Sequence, residues 1–142
     1  MKVFLGADHA GYGLKEALKK HLTEIDVEWV DCGTNSTESC DYPVFAHAVC
    51  EKVLAEEGAF GILVCGTGIG MSMAANKVRG IRAALCSDCF SAKFTRAHND
   101  ANVMCLGARV IGEGLALELV DIFLRTPFEG GKHLRRINML EK

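Results

Sequence analysis

Between Phe60 and Ser72 an apolar run, Phe60-Gly61-Ile62-Leu63-Val64-Cys65, passes directly into three alternating glycines, Gly66, Gly68 and Gly70, and then into a helix-forming segment. A short apolar run with no polar alternation, bounded by glycine, reads as a strand buried on both faces, the kind a parallel sheet flanked by helices requires. The glycines allow a tight turn and close approach of backbone N–H groups to a ligand. The helix that follows points its partially positive end at the same spot. An anion is expected to bind there. Cys65, at the carboxyl end of the strand, is the first candidate base or nucleophile, with a thiol pKa lowered by its surroundings.

The same alternation runs through the chain, which is the rhythm of a parallel α/β domain. Strands are expected at 3–5, 27–32, 60–65, 82–86 and 102–106. Leu14, Ala17, Leu18 and Leu22 recur at helical spacing, predicting an amphipathic helix over 11–24. Phe45, Ala48, Val49 and Val53 repeat that spacing after Pro43, a residue suited to a helix start. Further helices are expected over 70–78 and 88–98. A long one, marked by Leu115, Leu119, Ile122 and Phe123, should end near Pro127, before Gly130-Gly131 and a basic tail. A chain of 142 residues, 49% apolar, suits one compact domain over 1–142.

A net charge of −2 offers no basic footprint for nucleic acid. No apolar run approaches the roughly 20 residues that cross a bilayer. The first residues lead straight into a strand, leaving no room for a secretory signal, so a cytoplasmic location is expected. The seven cysteines are odd in number and irregularly spaced, and Cys50, Cys86 and Cys105 lie in apolar runs, so reduced buried thiols are expected. Cys86-Ser87-Asp88-Cys89 spells C-x-x-C, but no second pair completes a zinc site.

In parallel α/β folds ligands bind beyond the carboxyl ends of the strands. Asp8-His9, the Cys65 loop and Gly107 to Arg109 follow three such strands; Asp41-Tyr42-Pro43 opens the second helix, His98-Asn99-Asp100 precedes the last strand, and Lys132, His133, Arg135 and Arg136 crowd the tail. Singly, each has a plainer role: Asp8 as a helix cap, His9 as an exposed loop residue, the tail as a solvated helix face. Spacing excludes familiar uses of the loop. A dinucleotide fingerprint would need glycine at Met71 or Met73, and the only Gly-Lys, Gly131-Lys132, is followed by His133 and cannot be a P-loop. A cysteine phosphatase would want arginine at Met71.

Gly6-Ala7-Asp8-His9, Asp41-Tyr42-Pro43, Cys65-Gly66-Thr67-Gly68-Ile69-Gly70, Ala74-Ala75-Asn76-Lys77, Gly80-Ile81-Arg82-Ala83, His98-Asn99-Asp100-Ala101-Asn102, Gly107-Ala108-Arg109 and Glu129-Gly130-Gly131 together resemble the type B ribose-5-phosphate isomerases and the related galactose-6-phosphate and allose-6-phosphate isomerases, over nearly the whole chain. The resemblance implies a three-layer αβα Rossmann-like sandwich with a five-stranded parallel sheet, working as a homodimer or a dimer of dimers, with residues 128–142 packing on or near the partner. It implies interconversion of ribose 5-phosphate and ribulose 5-phosphate through an enediolate, with no metal or other cofactor and with the site built across the subunit interface.

On that resemblance Cys65 is the catalytic base and acid that shuttles the proton between carbons 1 and 2. A thiol brought from about 8.5 to about 7 would gain thiolate from roughly 3% to roughly half at neutral pH. Thr67 and the loop residues Gly66, Gly68, Ile69 and Gly70 would hold the developing oxyanion. His98 would open the furanose ring. Asp8, His9, Tyr42 and Asn99 would contact the sugar, and Arg109, Lys132 and Arg136 the phosphate. Where the family usually has arginine, this chain has Lys132, a point charge in place of a planar two-pronged donor, which opens the question of a six-carbon substrate. The alternatives are a galactose-6-phosphate or allose-6-phosphate isomerase and a non-catalytic sugar-phosphate binding subunit; redox sensing by Cys86 and Cys89 is a remote further one.

Overall fold

The computed structural model describes residues 1–141. The chain alternates strand and helix: β1 (Lys2–Ala7), α1 (Tyr12–Glu24), β2 (Glu28–Asp31), α2 (Tyr42–Ala55), β3 (Phe60–Cys65), α3 (Ile69–Asn76), β4 (Ala83–Leu85), α4 (Cys89–Ala97), β5 (Val103–Gly107), α5 (Glu113–Arg125) and α6 (Lys132–Ile137). The strands form one parallel sheet in the order β2-β1-β3-β5-β4. The three central strands, β1, β3 and β5, are the near-continuous apolar runs of the sequence, because helices cover both their faces. The edge strands are short and partly exposed.

Side chains leave a strand alternately to either face, and two cores follow. Ile62 and Val64 of β3 and Met104 and Leu106 of β5 join Leu18 and Leu22 of α1, Ala92 of α4, and Leu119 and Phe123 of α5. Leu63 and Cys65 of β3 and Val103 and Cys105 of β5 turn the other way, onto Val49, Cys50 and Val53 of α2 and Met71 and Ala75 of α3. The result is the αβα sandwich. It also settles where Cys65 points: into the layer of α2 and α3, at the very end of its strand.

Several boundaries have local causes. Pro43 lies in the first turn of α2, and α5 ends at Arg125 because Thr126, the residue before Pro127, is extended. β4 is shorter than the expected 82–86 because the Arg82 N–H is taken by the Asn102 side chain at 2.8 Å instead of by a neighbouring strand. α3 stops at Asn76, short of the expected Val78, and the Asn76 side chain brackets Ala83, accepting from its N–H at 2.8 Å and donating to its carbonyl at 2.9 Å. No helix among the described residues is long and apolar enough to cross a membrane.

Candidate active site

Cys65 ends β3 with its side chain buried, and its Sγ accepts the Gly68 N–H at 3.1 Å. The turn requires Gly68 to adopt φ +79°, and a Cβ there would lie 2.5 Å from Leu85 and 2.9 Å from the Leu106 backbone, so only glycine fits. Thr67 is exposed. Its Oγ1 accepts the Ile69 N–H at 3.3 Å, which leaves its own proton free for an incoming oxygen. The loop then enters α3, whose first turn offers N–H groups with no intrahelical acceptor.

The groups following β1 and β5 gather on this loop. Asp8 N donates to Val64 O at 3.2 Å, Ala108 N to Cys65 O at 2.9 Å, and Arg109 N to Gly66 O at 2.9 Å. The Arg109 side chain lies across Gly66, where an added Cβ would meet its Cδ and one guanidinium nitrogen at 3.5 Å. Tyr42, at the start of α2, packs its ring against Gly70 so closely that an added Cβ would come within 2.8 Å. Asp8 does not cap α1, whose N-cap is Gly11 without a side-chain bond; one Asp8 carboxylate oxygen instead closes the turn ahead of the helix, accepting Ala10 N–H at 3.0 Å and Gly11 N–H at 3.1 Å. His9 Nδ1 accepts the Cys40 N–H at 3.2 Å, which puts the ring proton on Nε2 as an available donor. The Cys40 contact left no signal in the sequence, since the two residues are 31 positions apart.

His98, Asn99, Lys132 and Arg136 lie elsewhere. His98 caps the carboxyl end of α4, which runs back against the strands, so it sits at the sheet's opposite edge. Arg82, just ahead of β4, donates through Nε to the Asn99 and Asp100 carbonyls at 3.0 Å, tying this corner to the strand starts. Asp100, held at φ +45°, also binds Arg96 at 2.8 Å and Arg82 at 3.2 Å. Between the Gly61–Val103 and Cys65–Gly107 pairs lie four steps of register, about 13 Å at ~3.3 Å per residue. His98, Asn99 and Arg136 line a cavity of about 240 Å³ with His133, Ile137 and Leu140. Lys132, the exposed first residue of α6, is not among its walls.

Glu129 and His133 complete the His98 corner and escaped the sequence reading as site residues; their i, i+4 spacing across the Gly130-Gly131 break was the available signal. Glu129 N donates to Ala97 O at 3.0 Å, and the His133 ring stacks on His98 with centroids 4.2 Å apart and planes 10° from parallel. Desolvation, and then the charge of His98, push the His133 imidazole below its ordinary range. The cysteines are all free, and burial pushes the Cys50 and Cys86 thiols up to about 11, which leaves Cys86 a poor thiolate.

A parallel αβα sandwich with a buried thiol and a glycine-rich turn at the carboxyl end of its central strand belongs to the class of α/β proteins that bind small molecules beyond their strand ends. Residues 3–140 match the Ribose/Galactose Isomerase family. Ribose-5-phosphate isomerase B of Escherichia coli is 47% identical over 139 residues, covering 98% of this chain and 93% of the relative. A ribose 5-phosphate isomerase structure from Thermotoga maritima superposes with TM-score 0.96 at 50% identity, covering 99% and 97% of the two chains. Ribose-5-phosphate isomerase B of Mycoplasma genitalium, solved with bound ribulose-5-phosphate, does so with TM-score 0.94 at 41% identity, covering 98% and 93%. The chain belongs to the ribose/galactose isomerase family.

Proposed function

We propose that this chain is an aldose–ketose isomerase that interconverts ribose 5-phosphate and ribulose 5-phosphate through an enediolate. The observation that carries the reading is the Cys65 Sγ, set at the strand end with a backbone N–H 3.1 Å away, within a glycine loop followed by a helix. The kinship with enzymes of that name, one of them holding ribulose-5-phosphate, supports the substrate.

His98 opens the furanose, exposing the carbonyl. Cys65 takes the proton from carbon 2 and returns it to carbon 1, while the charge that builds on oxygen meets the Thr67 hydroxyl and the N–H groups of Gly66, Gly68, Ile69 and Gly70. Asp8, His9, Tyr42 and Asn99 hold the sugar hydroxyls. Arg109 and Arg136 take the phosphate, with Lys132 nearer solvent.

One chain separates the thiol from the imidazole by most of a strand length, so the working site takes Cys65 from one subunit and His98, Asn99 and Arg136 from its partner. The homodimer is supported by exposed apolar side chains on both halves: Met73 and Val110 on the Cys65 side, Phe90, Leu134, Met139 and Leu140 toward α4 and α6. Residues 128–141 belong to that interface; Lys142, the last of the expected segment, lies outside the described residues.

The test is ketose formation from ribose 5-phosphate in excess chelator, with allose 6-phosphate and galactose 6-phosphate alongside. Turnover of the pentose well above both hexoses supports the reading. Preference for a hexose would reassign the substrate, and binding without turnover of any of them would overturn it.

A further inference from the structure

The isomerase chemistry calls on His98 but not on the two groups nearest its ring. His98 Nε2 and His133 Nε2 face the two oxygens of the Glu129 carboxylate, each at 3.7 Å. Those gaps are too long for hydrogen bonds, so the three groups are assembled without satisfying one another. The ligand atoms all lie within 4.8 Å. A tetrahedral ion with bonds of ~2.0–2.1 Å needs its ligand atoms about 3.3 Å apart. Rotation of the half-exposed Glu129 side chain and a small tilt of the stacked rings would close the difference.

We propose that His98, Glu129 and His133 bind a divalent transition-metal ion of the zinc class, and that the bound ion switches the enzyme off. Two imidazoles and one carboxylate form a donor set that selects Zn²⁺ or Cu²⁺ over Mg²⁺ and Ca²⁺. Arg136, which lines the same cavity, opposes a bare dication, so the Glu129 charge is needed. The fourth position opens into that cavity, where water or a phosphate oxygen can take it. With Nε2 coordinated, the His98 proton stays on Nδ1 and no lone pair remains to accept a proton from the sugar. The inhibitory half of the proposal rests on the role given to His98 above; the coordination half does not.

The experiment strips the whole protein of metal with chelator and titrates ZnCl₂ by calorimetry into the parent, Glu129→Gln, His133→Gln and Cys89→Ser, each checked for folding by circular dichroism. One ion per chain is expected, with affinity at least about tenfold weaker in Glu129→Gln and His133→Gln, unchanged in Cys89→Ser, and no comparable heat from MgCl₂. Ribose 5-phosphate turnover should fall in step with occupancy and return on adding chelator. Equal affinity in the parent and both ligand variants, or binding lost in Cys89→Ser, would overturn the site. Binding as expected with turnover untouched would overturn the inhibition. A metal-free protein with no turnover at all would count against the isomerase reading, while calorimetry still decides the site.

Discussion

At the scale of single residues, the proposed mechanism concentrates its chemistry on one sulfur, that of Cys65. Cys65→Ser keeps the volume and the acceptor for Gly68 N–H but replaces the thiol with a far weaker acid. Its kcat for ribose 5-phosphate should drop by about 10²–10⁴, the usual worth of a positioned acid–base group. KM should change little, because the phosphate is held by other residues. Steady-state kinetics on the folded variant checks this, and a loss of only a few-fold would remove Cys65 from the proton transfer. Gly68→Ala reaches the same sulfur from the backbone. With φ at +79° and the Leu106 backbone 2.9 Å from the new Cβ, the turn must open. Thermal unfolding should show a loss of at least about 1 kcal/mol, and turnover should fall with it because the N–H on Sγ moves away.

Among the elements, α1 and β2 are joined by a buried charge cluster. Lys15 is fully buried with its Nζ 2.6 Å from Asp31, and Lys19 adds a second contact at 2.8 Å. Burial pushes the Asp31 carboxyl up, but hydrogen bonds from Lys15, Lys19 and the Gly33 N–H outweigh it, so it lies below the usual 3.8. A depressed carboxylate contributes stability that is complete above its unfolded pKa, near 3.9, and is lost as pH falls through the lower folded value. Asp31→Asn should therefore cost stability at pH 7 and much less at pH 2. Urea unfolding of both proteins at the two pH values measures the difference, and an equal gap at both would show that Asp31 is not the titrating group. This cluster was invisible in the sequence, since Lys15 occupies an ordinary helix position. The strands were legible for the opposite reason: β1, β3 and β5 are covered on both faces, and burial on both faces writes an unbroken apolar run. The Cys65 loop was legible too, because a strand ending in alternating glycines has few structural uses. Less legible was the place of His98. Its position after a helix and before a strand of a parallel sheet does put it at the starting edge, but its kinship with His133 and Glu129 depends on how a tail with two glycines folds back.

For the whole molecule, the placement of Cys65 and His98 at opposite ends of strands that run about 13 Å becomes a statement about assembly. In the proposed homodimer, two-fold symmetry gives two equivalent sites, each taking its thiol from one subunit and its imidazole from the other. Cys65→Ala and His98→Ala should each be nearly inactive alone. Unfolded together in equal amounts and refolded, they distribute so that about half of the dimers are mixed. A mixed dimer holds one site with both lesions and one with neither. The mixture should therefore recover about a quarter of parental turnover, a figure set by two-fold symmetry alone. Differently tagged chains, with mixed dimers counted by native mass spectrometry, establish that exchange took place. If mixed dimers form and activity stays at the level of the single variants, each site is complete within one chain and the interface has another purpose.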